Sequence, residues 1–269
     1  MTDENKLLEL MSMSAKNFIE SRQIINHNLT NHFSEKNYEY IRKTNDITRN
    51  IVEKFVDLIK DSEDKNLQTS CDFNIFKIFG VNETMHSYLL AHFLNPNSSH
   101  GQKHLFLNEF LDLLGIERYN DNENWLVTAE KGRIDLLLLR NTPHSVVVIE
   151  NKSNYAIDQE NQLYRYWYQE IYSSINSRNL PSDYILNPPE KFYQLIYLSP
   201  NHLKIPNNNS LIKPLNWDSN LPSEVPLKTK QIVFSEFIVN WLELSLSKIP
   251  KQNTRIKEHL KQYIEIWIN

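Results

Sequence analysis

Two short apolar runs, Arg133 to Arg140 and Ser145 to Lys152, are rich in Leu, Ile and Val and flank Asn141-Thr142-Pro143-His144. Runs of that length bounded by turn residues predict strands, and the turn between them predicts a hairpin. Trp125 to Glu130 predicts a strand before the hairpin, Phe192 to Leu198 a fourth, and Gln231 to Phe234 a last one. Helical spacing predicts an amphipathic helix over residues 82–94, with Met85, Leu89, Leu90 and Phe93 on its buried side. Leu105 to Leu114 predicts another, closed by Gly115. Residues 157–173 predict a polar and aromatic helix, a further helix runs through Trp241, and Thr254 to Ile268 predicts the last.

The first sixty residues read differently, as helices without strands. Ile47, Ile51, Phe55, Leu58 and Ile59 form one apolar stripe, repeated less cleanly around Leu7, Leu10, Met11, Phe18 and Ile19. Asp61-Ser62-Glu63-Asp64-Lys65-Asn66 predicts a polar break. The chain therefore divides into a helical extension, residues 1–70, and an α/β domain, residues 71–269, with a mixed central sheet flanked by helices. The stripe packs on its own core or on a second copy, in which case the extension makes a homodimer.

Composition narrows the chemistry. Only four glycines occur, which argues against Gly-rich phosphate loops and dinucleotide folds. The single Cys71 excludes an internal disulfide and a cysteine-rich zinc site, and fits a reducing cytoplasm. No run of 18 apolar residues suggests a membrane span, and the polar start MTDENK does not read as a signal peptide. GxSxG, HExxH and CxxC elements do not occur. His100 and His104 have a zinc-compatible spacing, but Gly101 interrupts the helix they would need, and no third ligand follows. The net charge of −4 disfavours a broad nucleic-acid grip and suits acids gathered at one site with bases around it.

The hairpin carries the candidate chemistry. Asp135 stands near the start of one strand, with Glu150 and Lys152 at the end of the other. Antiparallel pairing brings those ends together, and the two-residue strand period puts Glu150 and Lys152 on one face. Two carboxylates and one ammonium converge there, a group that is costly to bury without partners. A divalent cation would supply the missing positive charge, leaving Lys152 free to act on a water or a developing anion. A structural ion pair capping the hairpin is the plain alternative.

These residues resemble the core of the PD-(D/E)XK nuclease superfamily, an Asp followed by a turn, a strand and (Asp/Glu)-x-Lys. Asp135 matches the Asp, preceded by Ile134 instead of Pro, and Glu150-Asn151-Lys152 matches the E-x-K element. Downstream, Asp158 to Tyr166 resembles the Gln-x-x-Gln-Leu-x-x-Tyr helix of several branches. Upstream, Glu83 to Ser87, Leu94-Asn95-Pro96 and His100-Gly101 resemble the first helix and loop of one bacterial branch. The resemblance spans roughly residues 73–245.

It implies a restriction-endonuclease-like fold of αβββαβ order and a Mg²⁺- or Mn²⁺-dependent nuclease acting on DNA in the cytoplasm, in bacterial defence, mobile elements or repair. The metal set it implies is Asp135, Glu150, the carbonyl of Asn151 and, as a third acid, Glu83. Lys152 completes the catalytic set, to orient or deprotonate a water or to neutralise the phosphate. Gln159, Gln162 and Tyr166 would present amides and a phenol to substrate from one helical face. His86, one turn after Glu83, is placed for phosphate or for the core. Glu130 is either support for the site or an exposed strand end. The rival reading is a nuclease-like binding or assembly module that no longer cleaves.

Overall fold

The computed structural model describes residues 3–29, 35–178 and 186–268. They form two compact units, Met1–Phe73 and Asn74–Asn269. The first holds α1 (Asp3–Leu29) and α2 (Glu35–Thr69). The polar break expected at residues 61–66 is instead part of α2. That stretch contains neither Gly nor Pro, and its Asp, Glu, Lys and Ser cost only tenths of a kcal/mol each in a helix. Polarity alone does not stop a helix. Ile47, Ile51, Phe55 and Leu58 stand exposed along α2.

The second unit contains a five-stranded sheet of order β1-β2-β3-β4-β5. Its strands are β1 (Trp125–Lys131), β2 (Ile134–Asn141), β3 (His144–Asn151), β4 (Tyr193–Ser199) and β5 (Thr229–Val233). The first three form an antiparallel meander, with Leu136 opposite Ile149 and Asn141 opposite His144. β4 and β5 then add in parallel, Glu150 pairing with Tyr197 and Asn151 with Leu198. β3 and β4 are central and almost wholly buried, as expected for strands covered on both faces.

One face is covered by α4 (Glu83–Leu94), α5 (Leu105–Leu114), α7 (Val239–Lys248) and α8 (Thr254–Ile268), which bury Val147, Ile149, Ile196 and Leu198. The short α3 (Ile75–Phe79) leads into α4, which starts where the Asn82 side chain accepts the Met85 N–H. The buried side of α4 is His86, Ser87, Leu90, Phe93 and Leu94; Met85, expected there, is exposed.

The other face is covered by α6 (Gln162–Tyr166) and a π-helical turn, Trp167–Tyr172, over Val146, Val148, Leu195 and Tyr197. Tyr164 and Trp167 are fully buried there. The helix expected from residue 157 begins only at Gln162. Its predecessor Asn161 has φ 57°, a left-handed conformation, and bonds outward through its N–H to Asn209 and its amide to Ile212. Among the described residues no helix is long and apolar enough to cross a membrane.

Candidate active site

Strand parity sorts the E-x-K element. Glu150 and Lys152 project to the α6 face with Val146 and Val148, while Asn151 projects to the α4 face with Val147 and Ile149. Asn151 is fixed there by its amide, which donates to Glu83 O at 2.9 Å and Ser87 Oγ at 3.1 Å. Its backbone N–H points the other way along the sheet and donates to Asp135 Oδ2 at 2.6 Å. The two hairpin ends thus meet at a direct bond between the first acid and the middle of the E-x-K element.

Glu150 is 1% exposed and Lys152 4%. Glu150 Oε1 lies 2.5 Å from Lys152 Nζ, and the carboxylate also meets the Asp135 carboxyl and the Tyr166 hydroxyl. Tyr166 Oη in turn reaches the Arg133 carbonyl. Burial, and then the facing Glu150 carboxylate, push the Asp135 carboxyl up to about 8. Burial also raises Glu150, with Lys152 opposing. Burial works against the charge on Lys152, but Glu150, Asp135 and Asp158 together hold its ammonium above the usual lysine range. Two carboxylates that close share a proton or take a cation.

Gln162 and Tyr166 stand where the helical spacing placed them. Gln162 Oε1 accepts from Lys152 Nζ at 3.5 Å and from the Gln159 N–H at 3.2 Å, and its amide donates to Tyr166 Oη at 3.0 Å. Gln159 is not on that helix; it sits in the loop before it. With Glu130, Gly132, Arg133, Asp135, Arg165 and Gln169, these three line a cleft of about 600 Å³. Arg133 and Arg165 put positive charge on its wall. Glu130 also lines it and adds to the negative field at Asp135.

Glu83 and His86 make contacts within the fold. Glu83 Oε1 accepts the N–H groups of Asn154 at 3.1 Å and Ala156 at 3.2 Å, so its carboxylate clamps the loop after β3. Among the described residues no group of three or more His, Cys, Asp or Glu side chains gathers to hold a metal. His86 is 2% exposed among Phe234, Tyr263 and Trp267, its Nδ1 2.7 Å from Tyr263 Oη. Burial lowers its pKa to about 4 and keeps it neutral. It belongs to the core, because α4 turns that face onto α8. His100 staples its own loop, Nε2 to Asn95 O and Nδ1 to Gln102 N.

One residue the motif reading gave no role is Asp158. It accepts from Tyr197 Oη at 2.8 Å and the Asn207 N–H at 2.9 Å, and stands 4.0 Å from Lys152 Nζ and 3.7 Å from Lys204 Nζ. Burial and then this carboxylate raise the Tyr197 phenol. Its sequence signal was spacing alone, six residues beyond Lys152 in a loop, which no periodicity marks.

A family profile described as the PD-(D/E)XK nuclease superfamily matches residues 73–265. The chain belongs to that superfamily. Its mixed sheet between two helical layers is the restriction-endonuclease-like fold of PD-(D/E)XK proteins, here extended by the N-terminal helices. Comparisons with curated proteins and with solved structures yield no match. The superfamily is one of nucleases and phosphodiester hydrolases, whose members typically use divalent metals.

Proposed function

We propose that this protein is a Mg²⁺- or Mn²⁺-dependent nuclease that hydrolyses phosphodiester bonds of DNA. The observation that carries the reading is the buried Glu150 carboxylate facing the half-buried Asp135, two acids that share the single ammonium of Lys152. A divalent cation fits this donor set, since Mg²⁺ takes oxygen ligands and only one or two protein carboxylates. Asp135 and Glu150 would hold it. The Asn151 carbonyl is a third candidate, because a strand residue's N–H and C=O point to the same side and this N–H points to Asp135. Glu83, engaged with the loop, is left out of the set.

When bound, the cation acidifies a water and offsets the charge that grows on the phosphate. The chain's own groups do the rest. Lys152 donates from Nζ to the attacking water or to a non-bridging phosphate oxygen, and arrives protonated. Gln162 holds that ammonium, and Tyr166 holds Gln162. Gln159, Arg133 and Arg165 take the flanking backbone along the cleft without adding a carboxylate to the site.

The bacterial setting of defence, mobile elements or repair is what the resemblance suggests, and the single Cys71 fits a reducing cytoplasm. The exposed stripe of α2 supports a homodimer, which would bring two sites to one duplex. Light scattering on the intact chain and on Ile51→Glu/Leu58→Glu should give two masses, dimer and monomer.

Purified protein should degrade DNA with Mg²⁺ or Mn²⁺ and stop on addition of chelator. Asp135→Ala should abolish the activity while the protein stays folded. Chelator-resistant cleavage, or full activity in Asp135→Ala, would sink the assignment.

A further inference from the structure

The Lys152 ammonium faces two close oxygens and, farther out, a second carboxylate, from three places in the chain. Glu150 Oε1 lies at 2.5 Å, Gln162 Oε1 at 3.5 Å and Asp158 Oδ1 at 4.0 Å. A lysine has three donors on a flexible stem, so its direction is set by what surrounds it. Glu150 alone does not suffice. Were Glu150 to take a divalent cation, Asp158 would be the acid still facing the ammonium.

Asp158 is built for that. Its side chain is 4% exposed and tied on both oxygens, Oδ1 to the Tyr197 hydroxyl and Oδ2 to the Asn207 N–H. Tyr197 sits on β4 directly opposite Glu150, so the acid is referenced to the strand that carries the E-x-K element's neighbour. Lys204, from the loop after β4, meets Oδ2 at 3.7 Å, while Oδ1, which accepts from Tyr197, is the oxygen nearer Lys152. The loop that carries Asp158 is fixed in turn by Glu83 at Asn154 and Ala156.

We infer that Asp158 is a positioning residue: it holds the Lys152 ammonium beside the Glu150 and Asp135 carboxylates when Glu150 is engaged elsewhere. The inference rests on the nuclease reading for its consequence on rate, but not for the placement of Lys152.

The test uses the full chain with Asp158→Asn, Asp158→Glu and Asp158→Ser. The expected result for Asp158→Asn is a kcat down about 10- to 100-fold, in the range seen when groups that orient a ligand or catalytic side chain are removed. KM for DNA and Mg²⁺ affinity by calorimetry should stay within about twofold of wild type, since no ligand is touched. Asp158→Glu should recover part of the loss. The ¹⁵N NMR signal of the Lys152 ammonium, assigned by its absence in Lys152→Met, should broaden or vanish in Asp158→Asn. Should that variant not fold, Asp158→Ser, which keeps an acceptor for Asn207 without charge, is held to the same outcomes.

Wild-type kcat in Asp158→Asn, a loss lying in KM or Mg²⁺ affinity, or an unchanged ammonium signal would overturn the inference. If wild type cleaves nothing yet the ammonium signal still depends on Asp158, the placement stands and the nuclease reading falls.

Discussion

The hairpin carries a buried ion pair at each end, and the two are built on opposite principles. At the turn end, Arg140 meets Glu123 and spends its other donors on Pro143 O and Ser145 Oγ. Glu123 accepts from the Tyr119 N–H and Trp125 Nε1, and the guanidinium lies over the Trp125 ring at 4.8 Å. Those bonds hold Glu123 below the usual carboxylate range despite its burial. At the open end, Glu150 and Asp135 have one ammonium between them, and Asp135 is pushed up to about 8. Burial is common to both pairs. What separates structure from candidate chemistry is whether the partners are complete.

The largest effect that sharpens this contrast is on rate. Lys152→Met and Glu150→Gln should lower DNA cleavage on the order of 10³-fold, about 4 kcal/mol of barrier, with Glu150→Gln melting at or above wild type. Melting points that fall as far as those of Arg140 variants would erase the distinction. Next, Arg140→Ala should destabilise the domain by about 3–5 kcal/mol in denaturant titration, since it strands Glu123 without its cation. Its cleavage per folded molecule should match wild type.

A third buried polar group, His86, is complete while neutral. Its pKa is lowered from 6.5 to about 4, so the stability it contributes is present above pH 6.5 and lost as pH falls towards 4. The loss amounts to about 3 kcal/mol. Urea titrations from pH 7 to 4 should show a slope that shrinks in His86→Asn. The smallest effect concerns the open end. Asp135 is raised, so the metal-free fold is favoured at low pH and penalised as pH rises from 3.8 towards 8, and a divalent cation reverses that penalty. Mg²⁺ at 100 times its Kd should add about 2.7 kcal/mol. Calorimetry in buffers of different ionisation enthalpy should detect proton release at pH 7 that fades above pH 8.

The sheet and the helices of the second unit were legible because their signals are local: periodic apolar runs, Asn82 and Gly115 as caps, a turn at residues 141–144. Asp135, Glu150 and Lys152 were legible as a group because strand parity and hairpin pairing are arithmetic. The contacts of Glu83 were not legible, for a different reason. Its partners, the N–H groups of Asn154 and Ala156, lie more than 70 residues away in an irregular loop. The late start of α6 has the same origin, because Asn161 adopts a left-handed conformation to bond Asn209 and Ile212. His86 could be read two ways until α8 supplied Tyr263 and Trp267.

Strand parity in β3 also acts as a reading frame. Glu150 and Lys152 look onto the α6 face and Asn151 onto α4 only because an unbroken alternation runs from Val146, so the segment tolerates swaps of apolar residues far better than changes of length. Deleting one valine would present an amide to the α6 face and bury an acid and a base against Ser87. Homologous chains should therefore drift freely in the letters of this strand and hardly at all in their number.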